Sequence, residues 1–587
     1  MTAVAAALQT FFRLALPYFR SEDRFVALAL LGGMVAAELG LVAVLVAIND
    51  WNKRFFNALE AKAWYAAQAE LLIFALIAVA AIVAGMAQFF LGQRLLIRWR
   101  HWLTERYVGR WMAEGRHYRI RYVAPEVDNI HLRIANDILI FLTRTHELFT
   151  GLIGSLVTIL SFTVILWILS SQIAMPLFGA DLSFPGYLIW SAIAMAAFGT
   201  LITHLIGRPL IPLNFRQQRF ESDFRFAIAR VTDQSEPVAL MRGEAVERHD
   251  LGQRFRRLVR NWIALVRLES YLVGFIAGYS RLAIIVPTLM AAPAYMSGLI
   301  TLGTLIQAGL AFQQMEGAFA YCIGAYSKIA EWKAVMDRIA QVDDAVVLAD
   351  RARLPREDIS FVDSEPGSGR LILQGLLLRS PSGDPITRIP DVSLAPGERL
   401  LVAGPSGSGK SAIIRALAGR WRLGEGMVAR PARATVLAMP QRPYFPLGTL
   451  RNAICYPIAA QTVRDGDIAA ALGDAGRGDL AARLDEENEW ANALSGGEQQ
   501  RIVFVRALLA HPDILLLDDP VSALEDADTA ALFALLRERL PSTIVVSTGR
   551  PAELARFHDR IVELHGADGA VTAARMSEHA MPSLKSA

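Results

Sequence analysis

Six apolar segments, at roughly 25–48, 69–92, 148–169, 185–206, 272–294 and 300–326, fill the front of this 587-residue chain. Each has about the length a helix needs to cross ~30 Å of hydrocarbon at ~1.5 Å per residue. Lipid offers the backbone no water, so each segment must satisfy its own hydrogen bonds, which predicts helices. Hydrophobic residues make up 53 % of the chain and mean hydropathy is +0.34. That excess excludes an ordinary soluble enzyme. The net charge of +3 gives no ground for nucleic acid as a partner.

Arginine placement predicts the orientation. The stretch 93–147 carries Arg94, Arg98, Arg100, Arg106, Arg110, Arg116, Arg119, Arg121, Arg133 and Arg144, and 207–271 is similarly rich. The connections at 170–184 and 293–299 hold no Lys or Arg. The positive-inside rule then puts both basic stretches, both termini and everything after residue 330 in the cytoplasm. Their length predicts helical extensions of the spans. Residues 1–24, with Arg13, Pro17 and Arg20, lack a cleavage site and read as an amphipathic entry segment. Cys322 and Cys455 form neither a disulfide framework nor a metal spacing, and both read as apolar packing.

After residue 340 the apolar runs stop and the chemistry changes. Gly404-Pro405-Ser406-Gly407-Ser408-Gly409-Lys410-Ser411 follows the apolar run Leu400–Ala403 and precedes Ala412–Leu417. Strand, glycine loop and helix form the context that makes a P-loop match credible. The glycines let backbone N–H groups turn toward phosphates, with the helix N-terminus adding partial positive charge. Lys410 is expected on the β- and γ-phosphates, and Ser411 on Mg²⁺. Ile514–Leu517 reads as a buried strand ending in Asp518, which fits the aspartate that steadies Mg²⁺.

Residues 494–501 read Leu-Ser-Gly-Gly-Glu-Gln-Gln-Arg. This resembles the signature of ATP-binding cassette (ABC) proteins, a superfamily in which it accompanies a P-loop in this order. The resemblance implies a shared site: the P-loop of one cassette holds ATP, and Ser495, Gly496, Gly497 and Glu498 of a facing cassette close over its γ-phosphate. It also implies that Gln441 forms the Q-loop, contacting Mg²⁺ and water and sensing the membrane domain. The membrane half narrows the branch. Asn49-Asp50-Trp51-Asn52-Lys53-Arg54-Phe55-Phe56, Leu213-Asn214-Phe215, Glu221-Ser222-Asp223-Phe224-Arg225, Arg242-Gly243-Glu244 and Ala330-Glu331-Trp332 resemble the SbmA/BacA-related, YddA-like ABC half-transporters. More distantly they resemble the peroxisomal acyl-CoA half-transporters.

Three positions depart from an efficient member of this superfamily. The residue after Asp518 is normally a glutamate that polarises water; here it is Asp519. The switch histidine is replaced by Arg550, with no histidine until His558. Ser522-Ala523-Leu524 is followed by Glu525 in place of aspartate. A carboxylate withdrawn by one methylene, misplaced by roughly 1 Å, costs on the order of 100-fold in rate. Binding is expected to survive while hydrolysis at this chain's own P-loop is slow. No aromatic stands in Leu377–Pro381 to stack on adenine.

Ionisable and amide groups inside spans are costly and mark candidate sites. Glu38, Arg281, Gln313 and Glu316 are the candidate cavity residues, with Gln88 and Gln314 beside them. The alternative is helix packing, or an ion pair of Arg281 with Glu316 or Glu38. His204 reads as structural. The domain reading is an entry segment at 1–24, an all-α six-span transmembrane domain at 25–339, a linker at 340–368, an α/β P-loop cassette at 369–570 and a flexible tail at 571–587. The function expected is an ATP- and Mg²⁺-dependent dimeric transporter half in the bacterial inner membrane, moving peptide-like or bulky hydrophilic compounds, with a homodimer preferred. Alternatives are a weak-site or regulatory subunit of a heterodimer, or a proton-coupled transporter in which Glu38 or Glu316 titrates and ATP biases the conformation.

Overall fold

The structure is a computed structural model describing residues 2–127, 129–171, 176–177, 180–181, 186–351, 357–365, 367–380, 382–567 and 570–578. It divides into two compact units, Met1–Ala113 with Glu126–Val346, and Glu114–Pro125 with Val347–Ala587.

The first unit is helical. Among the described residues five helices are long and apolar enough to cross a membrane: Arg24–Glu60, Trp64–Val123, Ile130–Ser170, Tyr187–Gly207 and Glu244–Met296. The sixth expected segment forms the first half of helix Leu302–Arg351. Its hydropathy is diluted by Gln307, Gln313, Gln314 and Glu316, and it packs inward through Ala308, Ala311, Phe312 and Met315. The outer helices instead expose apolar side chains. Leu72 and Leu76 are each 72 % exposed, which only lipid or a partner makes favourable. The connection 170–184 lies largely outside the described residues.

The branch-like motifs hold helix ends together. Asn49 Nδ2 donates to the Gln307 carbonyl at 3.1 Å, and Asn57 Oδ1 accepts from Gly303 N at 3.0 Å. Glu331 accepts from Arg144 Nε at 2.9 Å, while Trp332 Nε1 donates to Thr145 Oγ1 at 2.8 Å. Nearby, Arg338 grips Asp137 with two hydrogen bonds of 2.7 and 2.8 Å. Such bidentate pairs fix geometry as well as charge.

The second unit is the α/β domain. Its central strands are parallel, in the order Arg560–Ala567, Arg399–Ala403, Ile544–Gly549, Ile514–Asp518, Val436–Met439. They are near-continuous Val, Leu and Ile, as strands covered on both faces must be. Helix Gly496–Ala510 buries Ile502, Val503, Phe504 and Val505 on the sheet. Antiparallel pairings extend the sheet through Leu371–Arg379 and Gly424–Arg430. Helix Arg116–Val123 belongs to this unit: Arg116 Nε reaches Asp350 Oδ1 at 2.7 Å, and the Tyr122 ring meets Trp421 edge-on at 5.8 Å.

Two expected boundaries are corrected. Helix Leu302–Arg351 runs on through the start of the linker expected at 340–368; residues 352–356 lie outside the described residues. The expected tail opens with strand Ala570–Glu578, antiparallel to Arg560–Ala567. The backbone pairing of Ala573–Glu578 outweighs its lack of a motif. Residues 579–587 lie outside the described residues. Cys455 is buried in the cassette core as expected; the Cys322 side chain lies outside the described residues.

Candidate nucleotide site

Three parallel strands deliver the site to one edge of the sheet. Register pairs Gly549 with Ala403 and Asp518 with Thr548. The loop after Ala403, the carboxylate of Asp518 and the hydroxyl of Thr548 therefore meet at the C-terminal ends of the strands, where open α/β sheets bind ligands. The loop turns into helix Lys410–Leu417 through Gly409, whose φ is 96°. A Cβ there would also sit 2.9 Å from Ile386 Cγ2 and Thr387 Cγ2, so only glycine fits.

Lys410 Nζ donates to the carbonyls of Gly404 and Pro405 at 2.8 and 2.7 Å, which places its ammonium across the loop. Ser411 Oγ donates to Asp518 Oδ1 at 3.1 Å. Thr548 Oγ1 donates to the same oxygen at 2.8 Å and accepts from Asp519 N at 3.0 Å. Thr548 is fully buried. Asp519 has φ of 52°, a left-handed conformation that aspartate tolerates better than most residues. Its Oδ2 accepts from Gln441 Nε2 at 3.1 Å.

The signature stretch begins a helix. Ser495 is the N-cap of Gly496–Ala510 and forms a capping box with Glu498, satisfying two backbone donors reciprocally. Burial alone would raise the Glu498 carboxyl. Hydrogen bonds from Arg477 and Ser495 outweigh it and hold the group below the usual carboxylate range. Ser495 and Gly496 are exposed. Gln500, buried one turn on, donates to Ser522 Oγ at 2.8 Å and accepts from Ala523 N at 2.9 Å. It thereby ties the loop that ends at Glu525 to the signature helix.

Arg550 stands apart from this cluster. Its side chain is 84 % exposed and lies 3.5 Å from Glu553. His558 is fully buried, with Nδ1 2.8 Å from the Leu554 carbonyl and Nε2 2.9 Å from Ser547 Oγ. Burial pushes its pKa down to about 4. His558 is a neutral core residue, unavailable to a nucleotide.

The donor set fits Mg²⁺ with a nucleoside triphosphate. Ser411 and Asp518 present hard oxygens side by side, the kind that Mg²⁺ prefers. Among the described residues the buried Ser408 Oγ has no hydrogen-bond partner, and phosphate oxygens would supply one. In the stretch considered for adenine, Leu377 and Leu378 are core residues, and Pro381 lies outside the described residues.

The candidate cavity residues are not brought together as one cluster. Glu38 Oε2 accepts from Gln88 Nε2 at 3.1 Å. Its other oxygen lies 2.2 Å from where a Cβ on Gly154 would be, so Gly154 makes its room. Glu316 neighbours the Tyr279 hydroxyl, which itself donates to the Met195 carbonyl at 2.9 Å. Gln313 and Gln314 are half-buried, and Arg281 is exposed. Among the described residues Arg281 pairs with neither Glu38 nor Glu316. His204 is exposed. Two residues have roles in this geometry that the sequence does not assign: Gln500, within the signature stretch, and Thr548. Thr548 becomes visible only through strand register.

Residues 13–296 match the family described as ABC transporter transmembrane region 2, and 388–522 match the ABC transporter family. The inner membrane ABC transporter ATP-binding protein YddA of Escherichia coli is 30 % identical, over 91 % of this chain and 94 % of that protein. The human lysosomal cobalamin transporter ABCD4 is 26 % identical over 80 % of each chain. A bacterial Atm1-family ABC exporter with ATP bound has the same fold, with a TM-score of 0.71 over 92 % of this chain and 94 % of that one at 18 % identity. The cassette uses ATP and Mg²⁺, and hydrolysis is coupled to transport. The chain belongs to the ABC transporters, as a multi-pass half-transporter that fuses one transmembrane region to one ATP-hydrolysing cassette.

Proposed function

We propose that two copies of this chain hold MgATP between the P-loop of one and Ser495–Glu498 of the other, and that each site turns over slowly. Half-transporters of this type act as dimers in the lipid bilayer. The observation that carries the nucleotide reading is the convergence of the Ser411 and Thr548 hydroxyls on Asp518 Oδ1, at 3.1 and 2.8 Å, beside the glycine loop. The exposed Ser495 and Gly496 support a facing partner. So do Leu240, Met241 and Val246, all more than 70 % exposed near the turn of a cytoplasmic-type extension.

In this reading the loop N–H groups of Gly404–Gly409 and the hydroxyls of Ser406 and Ser408 hold phosphate oxygens. Lys410 neutralises the β- and γ-phosphates. Ser411, Asp518 and Gln441 hold Mg²⁺, which when bound withdraws charge from the transferring phosphoryl group. Asp519 orients the attacking water, with Gln441 fixing its carboxylate. Arg550, turned toward Glu553 and solvent, must swing inward to meet the γ-phosphate, and it cannot titrate as histidine does. ATP binding closes the cassettes because it binds the closed state more tightly, and the spans follow.

A heterodimer is the second reading, and one contrast favours it. The signature half, with its complete capping box, is intact while Asp519 and Arg550 weaken the hydrolytic half. Such a chain would complete a competent site in a related partner. The basic stretches, and the name borne by YddA, support a bacterial inner membrane with cassette and termini cytoplasmic. A bulky hydrophilic or peptide-like solute is the proposed cargo, supported by the branch resemblance and by the cobalamin named for the human relative. Glu38 and Glu316 are the proposed polar groups of its path, with Gln313 and Arg281. Proteoliposomes driven by ATP alone, by a pH gradient alone, or by neither test this reading. ATP alone should energise uptake of labelled solute. Uptake driven only by the gradient would assign the work to Glu38 or Glu316 instead.

A further inference from the structure

A cavity of about 250 Å³ lies in the helical unit between the N-terminal helix and the helices that follow. Phe12, Leu16 and Phe19 line it from the N-terminal segment, and Leu31, Trp99 and Phe149 from the helices that follow. Of its lining only Thr145, His146 and Trp99 carry side-chain polar atoms. Thr145 is already engaged, donating to the Phe141 carbonyl at 2.7 Å and accepting from Trp332.

Two donors beside the cavity are not engaged. Among the described residues Trp99 Nε1 and the Tyr18 hydroxyl are buried without a hydrogen-bond partner. Trp99 is 6 % exposed and Tyr18 0 %. Their rings stack at 5.5 Å with planes 8° apart, so the two donors belong to one aromatic wall. A buried donor left unsatisfied costs about 1–3 kcal/mol, and an indole N–H can only donate. Both donors point into packed protein, so the wall offers the cavity ring surface. The rest of the cavity calls for hydrocarbon.

The surroundings name the source. Tyr18, Phe19, Trp99 and Trp102 pack together, with Arg94, Arg98 and Arg24 along the same segments. Aromatic rings with flanking arginine mark the membrane–water interface. At that depth a phospholipid carries its ester carbonyls, and its acyl chain begins just below. Phe12 and Leu28, which border the cavity, are 54 % and 53 % exposed, which leaves an apolar way in from the bilayer.

We propose that this cavity binds one acyl chain of a membrane glycerophospholipid, its apolar lining taking the chain and the arginines of the same segments lying at headgroup depth. The lipid pins the N-terminal helix against the first, second and third long helices. The test uses the full chain in nanodiscs containing phosphatidylethanolamine with a diazirine in one acyl chain. After irradiation, labelled peptides are mapped by mass spectrometry, with Ile82 and Phe89, which are 61 % and 66 % exposed, reporting ordinary lipid contact. Peptides covering Phe11–Phe19 and Leu95–Trp99 should be labelled several-fold above that control. Leu16→Trp, which fills the cavity, should bring them down to the control while leaving Ile82 and Phe89 unchanged. Leu31→Trp replaces it where yield of folded protein falls. Labelling no higher than the control, or unchanged by the filling variants, overturns the site.

Discussion

The Thr548 hydroxyl bridges two consecutive aspartates, donating to Asp518 Oδ1 at 2.8 Å and accepting from the Asp519 backbone at 3.0 Å. It fixes the direction of one carboxylate and the unusual backbone of the next. The Asp519 N–H also lies 3.2 Å from the Thr548 carbonyl, so a single strand residue holds the left-handed turn from both sides.

Thr548→Val keeps the shape and removes both hydroxyl bonds. A hydrogen bond to a charged group is worth about 1.5–3 kcal/mol, and 1.4 kcal/mol is a factor of about ten. The Mg²⁺ concentration for half-maximal ATPase activity should rise about tenfold or more. Thr548→Ser should restore it, and the thermal midpoint should change far less.

Asp519→Glu restores the missing methylene, and Arg550→His restores the titrating group. Turnover by the double variant should exceed wild type by up to about 100-fold, the scale of a ~1 Å misplacement, with KM for ATP little changed. Asp519→Asn should remove the residual activity. Steady-state kinetics on purified protein reads all three. Brisk wild-type turnover would show that Asp519 positions water well.

The pH dependence of stability has a definite sign. His558 has a pKa lowered from 6.5 to about 4 in the folded cassette by burial. Between those values the unfolded chain takes up a proton and the folded one does not. Stability is therefore lost as pH falls below about 6.5, by up to about 1.4 kcal/mol per unit. His558→Gln should flatten that slope in urea titrations at pH 7 and 5.

Gly303 sits where a Cβ would lie 2.1 Å from the Lys53 carbonyl. Gly303→Ala must push the start of helix Leu302–Arg351 off the first long helix and loosen Asn57. Overpacking of this kind costs about 1–3 kcal/mol. A lower thermal midpoint and less folded protein in detergent are expected, while nucleotide binding by the cassette persists.

The sequence makes some parts of this molecule plain and hides others for physical reasons. Apolar run length marks spans because hydrocarbon thickness is fixed, and the loop at Lys410 is marked because phosphates require glycine there. Helix Leu302–Arg351 is harder to read, since a helix packed among helices tolerates Gln307 and Glu316 that lipid would not. Strand Ala570–Glu578 is missed because edge pairing needs backbone rather than a motif. Thr548 and Gln500 act through neighbours brought close by register and loop packing, which spacing along the chain does not report. Arg550 is legible as a substitution, but its outward turn toward Glu553 is not.

The most direct test joins two chains across the nucleotide. With Cys322→Ala and Cys455→Ala as background, Ser406→Cys and Ser495→Cys place thiols on the P-loop and the signature. Both parent residues are exposed. Oxidation with MgATP should produce a species of twice 64.4 kDa that reductant reverses, and far less without nucleotide. No linked dimer under any nucleotide condition would contradict a site shared by two copies of this chain.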